Sequence, residues 1–97
     1  MLRHFVFIRY KPGTTDAHKD EFCRRIRALT ASIPEIRSVE VGRDVLKAAR
    51  SWDVLLAMTF DSREALDVYQ VHPTHQQVIA FNNPQVGEVG SVDFLVD

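Results

Sequence analysis

A chain of 97 residues makes one domain, 1–97, with no room for a second. Its 45% hydrophobic and 26% charged residues exclude a disordered chain, and a formal net charge of −1 with scattered basic residues excludes an electrostatic grip on nucleic acid. No apolar run is long enough for a membrane span, Met1-Leu2-Arg3-His4 lacks the order of a signal peptide, and the lone Cys23 excludes an internal disulfide, so a cytoplasmic protein is expected.

Residues 2–10 have the length and β-rich composition of a strand, which the turn residues Lys11-Pro12-Gly13 end. Thr14 or Thr15 can cap a helix with Asp16 in its first turn. Phe22, Ile26, Leu29 and Ile33 then recur at helical spacing, and Pro34 stops the run. In 36–45, Val39 and Val41 alternate with polar neighbours, predicting a half-buried strand with a bulge at Gly42. Leu46 to Arg50 reads as a polar connection, and Trp52 to Phe60 as a third strand.

Asp61 or Ser62 offers a cap for a second helix, whose inner stripe is Ala65, Leu66 and Tyr69. Pro73 cannot continue that helix without cost but suits the first turn of a new one, so a break is predicted near His72. The new segment carries Val78, Ile79 and Phe81 and ends at Asn82-Asn83-Pro84, and Val89 to Val96 forms the fourth strand. The order β-α-β-β-α-β predicts an α+β, ferredoxin-like fold with an antiparallel four-stranded sheet.

The central strands, the first and third, are apolar on both faces. On the first, Val6, Ile8 and Tyr10 oppose Phe5 and Phe7; on the third, Trp52, Val54, Leu56, Met58 and Phe60 oppose Leu55 and Ala57. Two helices cover one face of such a sheet, and the other would remain a large apolar patch. A homodimer packed sheet against sheet resolves this, the alternative being a monomer with a shallow apolar groove.

Arg3-His4-Phe5-Val6, Lys11-Pro12-Gly13, Val41-Gly42-Arg43-Asp44-Val45, Phe60-Asp61-Ser62 and Tyr69-Gln70-Val71-His72-Pro73-Thr74-His75 follow in order over essentially the whole chain. Together they resemble the stress-responsive A/B barrel (Dabb) family. The resemblance implies a dimeric α/β barrel. One plant branch of that family comprises polyketide cyclases, which close a linear tetraketide by aldol chemistry without a cofactor. That branch's essential histidine falls on His75, its partner tyrosine on Tyr69 and its strand-one histidine on His4. A further cavity histidine falls on Val54 and a helix-one tyrosine on Ile26, so the cavity here is expected to be greasier. The wider superfamily includes cofactor-free monooxygenases and lactone isomerases, whose shared architecture does not fix a shared chemistry.

The candidate catalytic residues are His75 and Tyr69, with His4, His72, Val54 and Ile26 as candidate cavity residues. In the first turn of a helix opened by Pro73, His75 faces the positive end of the dipole, which favours a neutral ring able to accept a proton. Tyr69 could orient it or donate to a developing enolate, and His4 could complete the wall. Each has a plainer reading: His72 as a capping residue, His75 bonded to backbone at the kink, Tyr69 buried with its hydroxyl on a partner, and His4 as a hydrogen-bonded barrel residue. His18 falls on the exposed side of the first helix and reads as inert.

His72 and His75 are three apart without further ligands, so no side-chain metal site is expected, and the resemblance to the cofactor-free cyclases implies no cofactor. Backbone carbonyls between the first helix and second strand hold a magnesium-type ion in some relatives; that loop is here Thr30 to Ile36. Cys23 reads as a small core residue, Trp52 as core or interface anchor, and Arg43, Lys47 and Arg50 as a solvated loop able to attract an anion. The expected function is binding of a small polyketide-like or aromatic molecule in an apolar cavity, with acid–base catalysis. A non-enzymatic stress or scaffold protein with a filled core, or a cofactor-free monooxygenase or isomerase, are the alternatives.

Overall fold

The computed structural model describes all 97 residues, Met1 to Asp97. Four strands, β1 (Leu2–Tyr10), β2 (Ser38–Arg43), β3 (Val54–Phe60) and β4 (Val86–Leu95), pair antiparallel in the order β2-β3-β1-β4. Helices α1 (Asp16–Ala28), α2 (Arg63–Val71) and α3 (Pro73–Asn82) cover one face, giving the expected ferredoxin-like α+β fold. None of them is long and apolar enough to cross a membrane.

Local chemistry accounts for most boundaries. Gly13 takes φ +87° at the turn after β1, a conformation that costs a side-chain-bearing residue. Thr15 caps α1 by accepting from the His18 N–H at 3.1 Å. The α-helix itself ends at Ala28 and tightens into a 3-10 turn over Leu29–Ala31, so the predicted stripe runs through two kinds of helix and ends at Ile33, beyond both. Phe22, Ile26, Leu29 and Ile33 are nonetheless all buried. Of the two candidate caps for α2, Ser62 takes the role, accepting from the Ala65 N–H at 3.2 Å. Asp61 instead pairs with Arg37.

The core lies between helices and sheet, where Leu2, Ile8, Leu56, Met58 and Phe60 meet Ile26, Leu66, Tyr69 and Val78. Cys23 is part of it, and burial pushes its thiol pKa up, away from nucleophile chemistry. The opposite face carries Phe5, Phe7, Leu55, Val92 and Phe94, with Phe5 stacked on Phe94 at 5.5 Å. Leu55, Val92 and Phe94 remain exposed. The two-sided apolar pattern is therefore present, with one side covered and one open.

Trp52 departs from the expected alternation. The strand expected from Trp52 begins only at Val54, because the regular β1–β3 register stops at the Ile8–Val54 pair. The Asp53 N–H donates to the Ile8 carbonyl at 2.8 Å and its carboxylate accepts from the Tyr10 N–H at 2.7 Å. This irregular residue puts Trp52 on the open face, 5.9 Å from the Phe7 ring and beneath Arg9, instead of beside Val54 in the core.

Candidate functional site

The site begins with a helix break. Pro73 has no N–H and forces the preceding residue out of the helical region, and His72 accordingly sits at φ −64°, ψ 134°. His72 serves both ends of the break. Its backbone N–H closes α2 on the Tyr69 carbonyl at 3.1 Å, and its Nδ1 caps α3 by accepting from the Thr74 N–H at 3.1 Å. In a continuous helix the Thr74 N–H would have gone to the Gln70 carbonyl. That carbonyl is satisfied instead by the His75 ring, through Nδ1 at 3.1 Å, and by the Gln76 amide at 2.7 Å.

A carbonyl can only accept, so His75 Nδ1 carries the proton and the neutral ring keeps its lone pair on Nε2. The ring lies 4.1 Å from that of Tyr69. Burial lowers the His75 pKa from its ordinary 6.5, and positive charge on His4 or His72 would lower it further, while the backbone at Gln70 pulls the other way.

Tyr69 projects from the inner face of α2 against Phe60, 5.3 Å away, and His4, 6.1 Å away. Its hydroxyl has no protein partner, yet no buried side-chain oxygen or nitrogen is left unpaired, so this oxygen opens onto free space. Burial raises its pKa and keeps it a phenol. His4 stands buried on the helix-facing side of β1, with Nδ1 bonded to the Asp93 carboxylate across the ladder. That bond fixes its ring, which lies edge-on to Tyr69.

These side chains border a cavity of about 310 Å³ between sheet and helices, walled also by Ile26, Leu56 and Val78. The exposed residues Val89 and Ser91 stand at its rim, where the helices do not reach β4. His4, Ile26, Tyr69 and His75 therefore come together. His72 and Val54 do not line this cavity: His72 is occupied as a cap, and Val54 is packed into the core near the start of β3. No three His, Cys, Asp or Glu side chains converge.

Asp93 and Asn82 are parts of the site that sequence reasoning missed. The signal for Asp93 was the β1–β4 register, which places it directly opposite His4. For Asn82 it was the spacing of seven from His75, which returns to the same helix face. His18 is not on an exposed surface either: it stacks on Phe81 at 4.5 Å and bonds Asn82 at 3.0 Å.

With this geometry in place, the chain matches the model of the stress responsive A/B barrel domain over residues 2–96. It belongs to that family. Olivetolic acid cyclase of Cannabis sativa is a relative 29% identical over 76 residues, covering 76% of this chain and 75% of the cyclase. A dimeric ferredoxin-like protein of unknown function from Thermobifida fusca YX superposes with a TM-score of 0.88 at 25% identity, over 98% of this chain and 90% of that one. Hydroxynitrile lyase of Passiflora edulis superposes with a TM-score of 0.86 at 19% identity, over 99% and 93% of the two chains, a likeness of fold alone.

Proposed function

We propose that this A/B barrel protein is a homodimer whose cavity binds a small organic molecule, polyketide-like or aromatic, and performs cofactor-free acid–base chemistry on it. One observation carries the reading: a neutral imidazole, locked through Nδ1, keeps Nε2 bare on a largely apolar cavity beside an unpaired phenol. His75 Nε2 takes a proton from carbon next to a carbonyl, and the Tyr69 O–H donates to the enolate oxygen as charge develops. The enolate carbon attacks a second carbonyl of the same molecule, forming the ring bond. The imidazolium then returns its proton to the new alkoxide. The likeness to olivetolic acid cyclase supports this reaction class. The apolar Ile26 in the cavity wall argues for a less polar substrate than the plant cyclases take.

The homodimer is supported by the open apolar face of the sheet and by a close structural neighbour that is itself dimeric. A volume of about 310 Å³ that opens at β4 favours a ligand site over the scaffold reading, which calls for a filled core. The test is turnover of a linear tetraketide by wild type and His75→Gln. A loss of at least about 100-fold is expected, and equal turnover would remove His75 from the chemistry.

A further inference from the structure

The cavity has a second polar pole, at the far end of α3. Asn82 follows His75 by seven residues, which is two turns on the same helix face and roughly 10 Å along the axis. Its residue exposure is 4%, and it forms part of the cavity wall. Oδ1 accepts two hydrogen bonds, from the Tyr10 hydroxyl at 2.7 Å and from His18 Nε2 at 3.0 Å. Both donors are held in place. The Tyr10 backbone N–H is tied to Asp53, and the His18 ring lies flat on Phe81 with Tyr10 edge-on at 5.5 Å.

An amide whose oxygen is engaged twice must turn its NH2 group away from those partners. Asn82 Nδ2 has no protein acceptor. Because no buried side-chain nitrogen lacks a partner, this nitrogen opens onto the cavity. A residue kept there only for packing would have both halves of the amide paired. Half of this one is paired, by residues from β1 and α1, and the other half is a fixed donor facing an apolar space.

We propose that Asn82 is a specificity-determining residue, whose amide N–H selects an elongated apolar ligand carrying an oxygen acceptor, of carbonyl or carboxylate type, at the end remote from His75. Tyr10 and His18 are its positioning residues. The inference rests on the cavity being a ligand site, and it adds which end of the ligand must be polar and with which sign.

Butyrophenone and butylbenzene, a ketone and its matched hydrocarbon, are suitable probes. Wild type is expected to prefer the ketone by about tenfold in Kd. Asn82→Asp keeps an oxygen toward Tyr10 and His18 but loses the donor, and should abolish that preference, whereas His75→Gln should retain it. In wild-type protein the Asn82 side-chain amide proton resonance should move downfield with the ketone and stay with the hydrocarbon. This measurement decides the matter even if the variant fails to fold. An unmoved amide, or a preference that survives in a folded Asn82→Asp, overturns the role of Asn82 while leaving the ligand site standing. Failure of both compounds to bind wild type overturns the site and this inference together.

Discussion

His4 and Asp93 face each other across β1 and β4, and the carboxylate accepts the imidazole Nδ1 proton. This pairing accounts for a buried histidine on the helix-facing side of β1 and fixes the ring that lies edge-on to Tyr69. Asp93→Ala should therefore let the ring turn. Turnover should fall about tenfold, with a stability loss of about 1 kcal/mol, small because Asp93 is partly exposed. Steady-state kinetics beside urea denaturation would check both, and unchanged kinetics would detach Asp93 from the site.

The acid dependence follows from His75. Its pKa in the fold lies below the 6.5 of the free side chain, chiefly through burial. Between those two values the unfolded chain binds more protons than the folded one, so stability rises with pH across that window. This contribution is complete above 6.5 and is lost as pH falls through the folded pKa. His75→Gln should remove this part of the acid-side decline, seen by comparing denaturant midpoints at pH 7.5 and 5. The acidic limb of wild-type turnover should likewise lie below 6.5, and a limb above that value would contradict a buried neutral base.

Tyr69→Phe separates chemistry from packing. The hydroxyl bonds no protein group while the ring packs on Phe60 and His4. Thermal stability should change by less than about 0.5 kcal/mol, while turnover falls by one to two orders of magnitude, on the order expected for a lost donor to a developing charge. A large drop in Tm would mean that the hydroxyl has a structural partner.

On the open face, Trp52 lies over Phe7 among Phe5, Leu55, Val92 and Phe94. Light scattering should give twice the 11.1 kDa of one chain. Trp52→Glu would bury a charge at the contact and should shift the mass toward one chain at micromolar concentration. An unaltered dimer would place the interface elsewhere.

Ser62 caps α2, the helix that carries Tyr69. Ser62→Ala should cost about 1 kcal/mol of stability. Because the cap lies almost two turns from the cavity, KM should hold steady, which kinetics on the variant would verify.

Much of this arrangement is legible along the chain because it depends on neighbours in sequence. The spacing of Phe22, Ile26, Leu29 and Ile33 marks a buried stripe, and all four are buried. His72-Pro73 marks a break, and His72 caps the helix that follows it. Trp52 escapes the alternation because that pattern holds only while the strand is regular, and the register stops at Val54, where the Asp53 side chain binds the Tyr10 N–H. His18 looked exposed because an isolated helix offers no sign that Phe81 will lie against it.

Residue order by itself determined four strands, the central two greasy on both sides, helices greasy on one, and a proline that splits the last helical stretch at a histidine. These follow from steric and hydrophobic preferences acting over a few residues. Only the tertiary structure decided that Asp93 meets His4, that His4, Tyr69 and His75 border one cavity, and that Asn82 turns its amide nitrogen into the same cavity. Such contacts depend on strand register and on how helices seat on the sheet, and packing of distant segments sets both.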